Sequence, residues 1–174
     1  MVIKPMIRNS ICMNAHPEGC RVGVKHQIDY VKNRGKIDGP KRALILGCSG
    51  GYGLATRIVA AFGAGTKTLG VSFEREPTEK KTGSPGWYNN RAFEEFASAE
   101  GLYAETFEAD AFSPETKQKV IDTIKSDLEG SVDLVIYSLA TGVRPKSDGT
   151  LWRSALKPIG EDYTARSVDP TEGT

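Results

Sequence analysis

The segment Lys41-Arg42-Ala43-Leu44-Ile45-Leu46-Gly47-Cys48-Ser49-Gly50-Gly51-Tyr52-Gly53 decides the fold. Its apolar run, Ala43 to Leu46, suits a parallel strand covered on both faces. A glycine turn follows, then a helix from about Leu54 to Phe62 with Leu54, Ala55, Ile58, Val59 and Phe62 on one face and Gly63 as a left-handed cap. A second strand, Thr68 to Phe73, ends at the acidic Glu74. Each part has a task if the turn holds a diphosphate. Gly47 lets the chain turn sharply off the strand, and Gly51 removes a side chain that would hold the phosphates away. Gly53 lets the helix pack close to the sheet, so that its N-terminal N–H groups face the ligand. Glu74, about twenty residues beyond the turn, stands where a carboxylate accepts both hydroxyl hydrogens of an adenosine ribose.

The spacing is Gly-x3-Gly-x-Gly, not the commoner Gly-x-Gly-x-x-Gly, and it selects the short-chain reductase branch of the dinucleotide folds. Glycines also serve a tight strand-to-helix turn that binds nothing; the second strand and its terminal acid favour a nucleotide site over that reading. No Gly-Lys-Ser/Thr closes the turn, so a P-loop fits poorly. A methyltransferase remains a rival, because its glycine turn and acid hold adenosylmethionine in the same place. A dinucleotide-binding module without turnover is a second rival.

Beyond Glu74, the run Arg75 to Gly83 is charged and reads as a solvated loop or a flap over the cofactor. Arg75 could meet a 2′-phosphate, but Glu74 precedes it and would repel that group, which favours NADH over NADPH. Ser84-Pro85 opens a helix, Trp87 to Glu100, with Ala92, Phe93, Phe96 and Ala97 inward. Trp87 and Tyr88 either anchor the core or stack on a ligand. A third strand, Leu102 to Ala109, ends at Asp110-Ala111, where an acid either accepts from an adenine amine or forms a turn. Ser113-Pro114-Glu115 starts a helix striped by Val120, Ile121, Ile124 and Leu128. A fourth strand, Val132 to Ala140, completes the pattern, and its apolar residues stand beside an uncovered edge.

The expected fold is therefore α/β, the first half of a doubly wound, Rossmann-like parallel sheet in the order third, second, first, fourth. Residues 41–140 form this dinucleotide-binding half-domain, and its switch point gathers Gly47, Ser49, Tyr52, Leu139 and Ala140. Residues 1–40 are an N-terminal extension of short strands and a helix, Gly19 to about Arg34, carrying Val24, Ile28 and Val31. His16 and Cys20, with Cys12 nearby, do not make a metal site if Pro17 and Gly19 interrupt the helix. Residues 141–174 lose all periodicity, with Val143, Trp152, Leu156, Ile159 and Tyr163 scattered through an irregular tail.

A chain of 174 residues with 23 basic and 22 acidic side chains has no basic footprint for nucleic acid. No apolar run approaches the ~20 residues of a membrane span, and Met1-Val2-Ile3-Lys4-Pro5 lacks a signal-peptide centre. Three cysteines do not form a disulfide framework, so a cytoplasmic, reducing location is expected.

Together the motifs resemble the FabV-type enoyl reductases, which include the trans-2-enoyl-CoA reductases. The resemblance rests on Ile3-Lys4-Pro5-Met6-Ile7-Arg8, Ile11-Cys12, Asn14-Ala15-His16-Pro17 with Gly19-Cys20, and Gly47 through Ala55. It continues in Val71-Ser72-Phe73-Glu74, Gly86-Trp87-Tyr88-Asn89-Asn90, Asp110-Ala111-Phe112-Ser113, Tyr137-Ser138-Leu139-Ala140 and Leu156-Lys157-Pro158. It implies part of a longer, monomeric, single-chain enzyme of fatty acid biosynthesis that reduces an enoyl thioester of acyl carrier protein or CoA with NADH. By resemblance Gly47, Cys48, Ser49, Gly50, Gly51 and Tyr52 form the pyrophosphate turn, and Phe73 and Glu74 the adenosine pocket. Asp110 and Ala111 then contact the adenine, and Leu139 and Ala140 lie beside the nicotinamide ribose. The family's catalytic tyrosine, with lysine eight residues on, has no counterpart at Tyr30, Tyr52, Tyr88, Tyr103, Tyr137 or Tyr163. No catalytic residue is assigned, and the sequence reads as an inactive N-terminal fragment ending in what resembles a mid-protein loop.

Overall fold

The computed structural model describes residues 4–8, 11–12, 14–146, 148–155 and 160. Two short strands, β1 (Ile7–Arg8) and β2 (Ile11–Cys12), pair antiparallel ahead of helix α1 (Pro17–Asn33). Strand β3 (Arg42–Leu46) leads to α2 (Gly51–Ile58), which runs into a π-helical turn (Val59–Gly63). Then come β4 (Lys67–Ser72), α3 (Pro85–Ala99), β5 (Ala104–Glu108), α4 (Pro114–Asp127) and β6 (Leu134–Tyr137). Strands β3 to β6 form one parallel sheet in the order β5-β4-β3-β6, the half-wound order expected from the sequence. Among the described residues no helix is long and apolar enough to cross a membrane.

Alternation along β3 supplies both faces of the sheet. Leu44 joins Leu69, Val71, Phe107, Val120 and Leu128 beneath α4. Ala43 and Ile45 are fully buried on the opposite face. Helices α1, α2 and α3 carry a larger cluster, centred on Ile28, Ile58, Phe62 and Phe93. Phe93 meets Phe62 edge to face, with ring centroids 5.8 Å apart. At the base of the sheet, the Asp133 carboxylate accepts from the Lys41 and Arg42 N–H groups and from the Arg42 guanidinium, at 2.9, 3.0 and 3.1 Å. The Arg42 hydrogen bond holds the Asp133 carboxyl below its usual range.

Several expectations need correction. Helix α1 begins at Pro17, not Gly19: proline tolerates the first helical position, and His16 Nδ1 caps the turn by accepting the Gly19 N–H at 3.0 Å. The helix after the glycine turn is not stopped by a left-handed Gly63. It widens into the π turn, and the left-handed residue is Gly65, with φ +72°. Gly63 packs against Val31 and Ile37, where an added methyl group would make contacts of 3.4 Å. Ile121 is 45% exposed and does not belong to the buried stripe of α4. The tail is not wholly irregular, because β7 (Val143–Pro145) and β8 (Leu151–Arg153) form an antiparallel pair. Leu156, Ile159 and Tyr163 lie outside the described residues, as do Val2 and Ile3.

Strand β6 stands at the sheet margin, with Val135 56% exposed. The dense packing lies among α1, α2 and α3, around Phe93. Replacing Phe93 with alanine is expected to cost about 3–5 kcal/mol, the usual penalty for deleting a buried ring. Urea unfolding followed by circular dichroism measures it, and a loss below about 1 kcal/mol would contradict this account of the core.

Candidate functional site

The turn after β3 is a crowded piece of backbone on one side and bare on the other. Gly47 has φ +86°, and a methyl group there would overlap the Ser138 carbonyl at the end of β6. A methyl group on Gly53 would overlap the Gly47 carbonyl, so α2 begins as close to the strand end as a backbone permits. Gly50 and Gly51 face open space: a methyl group on either meets nothing within 4 Å. Gly50 is the N-cap of α2 and supplies no side-chain acceptor to the first-turn N–H groups. The earlier amides are committed elsewhere. Gly47 and Cys48 both donate to the Val71 carbonyl, at 2.8 and 3.3 Å.

This turn floors a cleft of about 740 Å³ at the carboxyl ends of the sheet strands. Eleven of the residues singled out from the sequence line it: Gly47, Ser49, Gly50, Gly51 and Tyr52 from the turn, Phe73 and Glu74 after β4, Asp110 and Ala111 after β5, and Leu139 and Ala140 after β6. Cys48 does not. Its thiol is fully buried and points into the protein, 3.7 Å from Asn90 Oδ1. Burial pushes that thiol's pKa up. Ser138, Thr141, Val143 and Pro145, none of them an expected site residue, also line the cleft.

Of the lining residues, Tyr52 and Phe73 are 87% and 82% exposed, two aromatic side chains open to solvent. The charged residues among the described lining are Glu74 and Asp110, both acidic. Asp110 Oδ1 accepts the Phe112 N–H at 2.9 Å, so it shapes its own turn while bordering the cleft. Glu74 is held more firmly. Ser49 donates to its Oε1 and Ser84 to its Oε2, each at 2.5 Å. The run after Glu74 is a solvated loop: Arg75 is exposed, and a bridge between Thr78 and Lys81 closes the loop on itself.

Beneath the cleft lies a polar layer that the sequence did not announce. Asn89 Nδ2 donates to the Ser49 carbonyl at 2.9 Å, tying α3 to the turn. Asn90, fully buried, donates to Ser72 Oγ and Glu108 Oε1, both at 2.8 Å. The Arg57 guanidinium of α2 is also fully buried. It donates to Thr68 Oγ1, Thr106 Oγ1 and the Glu105 carbonyl at 3.2, 2.8 and 2.7 Å, and lies 4.3 Å from the centre of the Phe93 ring. Burial pulls its pKa down. A polar Asn-Asn pair within a helix, and threonines within buried strands, were the available signals for this layer.

Two family models match consecutive parts of the chain: the NAD(P)H binding domain of trans-2-enoyl-CoA reductase over residues 2–79, and the trans-2-enoyl-CoA reductase catalytic region over residues 81–174. The chain belongs to the trans-2-enoyl-CoA reductase family. The methyltransferase reading falls with that match. An enoyl-(acyl-carrier-protein) reductase (NADH) from a Shewanella species is 57% identical over 171 residues, which are 97% of this chain and 42% of that protein. The crystal structure of Clostridium acetobutulicum trans-2-enoyl-CoA reductase in complex with NADH superposes with a TM-score of 0.88 and 43% identity, covering 99% of this chain and 44% of that one. The Treponema denticola trans-2-enoyl-CoA reductase in complex with NAD gives 0.85 and 52%, over 98% and 44%. The chain thus spans less than half the length of these members of the trans-2-enoyl-CoA reductase family.

The two sides of the turn predict opposite responses to one added methyl group. Gly53→Ala is expected to destabilise the fold by about 1–3 kcal/mol, because backbone at Gly47 must give way. Gly50→Ala, extended at φ −164° and facing open space, stays within about 0.5 kcal/mol of the parent. Thermal unfolding of both variants checks this, and equal losses would show that the turn is not packed as described.

Proposed function

We propose that the chain forms the NADH-binding part of a reductase that saturates the 2,3-double bond of an enoyl thioester carried by acyl carrier protein or CoA. The observation that carries the cofactor reading is the pairing of a bare glycine corner at the N-terminus of α2 with a carboxylate fixed at the end of the neighbouring strand. The thioester follows from the names of the relatives the chain matches. The residues present suit the cofactor. The first-turn N–H groups of α2 face the cleft without a side-chain cap, which fits a diphosphate. Glu74 would accept the adenosine ribose hydroxyls, and the acidic lining disfavours a 2′-phosphate there. Asp110 and Ala111 would border the adenine, and Leu139 and Ala140 the nicotinamide ribose. Tyr52 and Phe73 would shield the bound dinucleotide from water.

When bound, the nicotinamide supplies the hydride for the β-carbon of the thioester. The chain's own contribution is to bind and orient. The carbonyl oxygen, where negative charge gathers, needs a hydrogen-bond donor such as a tyrosine steadied by a lysine. None of the six tyrosines here has lysine eight positions on. The proposal therefore places cofactor binding in these residues and no proton-donating pair among them. It also places the protein in the cytoplasm and in fatty acid biosynthesis. Three free cysteines and the acyl carrier protein in the name of the Shewanella relative support that placement.

The chain is expected to bind NADH, seen as quenching of tryptophan fluorescence, and to leave crotonyl-CoA unreduced. Glu74→Ala should weaken NADH at least about tenfold, since it removes acceptors for two ribose hydroxyls. An unchanged affinity in that variant, or turnover of crotonyl-CoA by the 174-residue chain, would refute the proposal.

A further inference from the structure

Glu74 reaches the cleft from the end of β4, but its carboxylate is seated by the start of another element. Ser84, the N-cap of α3, spends its hydroxyl on Glu74 and makes no cap bond to its own helix. That hydroxyl has little choice. Its oxygen accepts the Arg75 N–H at 3.0 Å, and the Ser84 N–H donates to the Arg75 carbonyl at 2.9 Å, a two-way clasp that fixes Ser84 across the loop. The remaining proton goes to Glu74 Oε2 at 2.5 Å, with the Arg75 carbonyl a distant second at 3.4 Å. Two residues on, a methyl group added at Gly86 would overlap the Glu74 carboxylate. The carboxylate therefore rests on the first turn of a 15-residue helix, at the end where the backbone dipole favours negative charge.

We propose that Ser84 and Gly86 form a specificity-determining seat that fixes Glu74 for a ribose with a free 2′-hydroxyl and against a 2′-phosphate. The inference rests on the cofactor reading above and names positioning residues for it. An ionised carboxylate offers about four acceptor positions on its two oxygens. Ser49 takes one on Oε1 and Ser84 one on Oε2. One on each oxygen is left, which matches two neighbouring ribose hydroxyls. A 2′-phosphate brings negative charge and no hydroxyl for this pair. A mobile glutamate could swing away from that phosphate and let the exposed Arg75 approach it. The seat denies that movement, so discrimination depends on the α3 turn as well as on Glu74.

Calorimetric titration of the full chain with NADH and NADPH, repeated with ADP-ribose and 2′-phospho-ADP-ribose, tests this. The parent should prefer the ligands without the 2′-phosphate. In Ser84→Ala the ratio of NADPH to NADH dissociation constants should fall about tenfold, the scale of one lost hydrogen bond to a charged group. Ser84→Thr should restore the ratio, and Gly86→Ala should lower it with Ser84 intact. Ratios that stay at the parental value in folded Ser84→Ala and Gly86→Ala overturn the inference, even if both ligands weaken together, because that is the mark of a structural role. If Ser84→Ala does not fold, the ratio in Gly86→Ala decides. A parent that binds both ligand types equally overturns the seat alone; a parent that binds none removes the cofactor reading and the seat with it.

Discussion

The carbonyl of Gly47 and the α-carbon of Gly53 approach so closely that no side chain fits between them. From that contact much of the molecule follows. It starts α2 directly over the end of β3 and aims the helix N-terminus along the sheet's carboxyl edge. It also holds Leu54 and Ile58 against Phe62 and Phe93 in the core shared by α1 and α3. The same corner meets the end of β6 at the Ser138 carbonyl, so the switch point of the sheet is closed by backbone. A cleft with backbone for a floor has N–H groups to offer and nothing to obstruct them, and this is the chemistry a diphosphate requires.

The corner has a cost, met by the polar layer behind it. Arg57 leaves α2 on its buried side and would be an isolated charge among strands. Thr68, Thr106 and the Glu105 carbonyl satisfy its guanidinium, and the Phe93 face covers it. Asn89 and Asn90 of α3 do the same for the Ser49 carbonyl and for the Ser72–Glu108 pair. Helix α3 thereby fastens the turn, the end of β4 and the end of β5 to one another. Three of the four loops that border the cleft are thus fastened to one helix that contributes no residue to its lining.

What the sequence revealed was local and periodic. Apolar runs marked β3 and β4, glycine spacing marked the corner, and alternating elements implied the β5-β4-β3-β6 order. Eleven expected residues reach the cleft because each lies at the end of a strand whose direction the pattern determined. Cys48 was misplaced because spacing does not say which way a turn residue points; its amide and thiol are both engaged inside the protein. Pairings between distant residues were equally hidden. The seat formed by Ser84 and Gly86 under Glu74 exists only once the loop from Arg75 to Gly83 has folded back. The π turn at Val59–Gly63 left no trace in composition, and β7 and β8 are too short for alternation to show.

The central claim is that free amides at the start of α2, and not side chains, receive the diphosphate of the bound ligand. Nitrogen–proton correlation spectra of the chain during titration with ADP-ribose address it most directly. The account predicts large shifts of the Gly50, Gly51 and Tyr52 amides, with Gly47 and Cys48 moving little because both already donate to Val71. Shifts concentrated on other parts of the surface, with the Gly50 to Tyr52 signals unmoved at saturation, would contradict it.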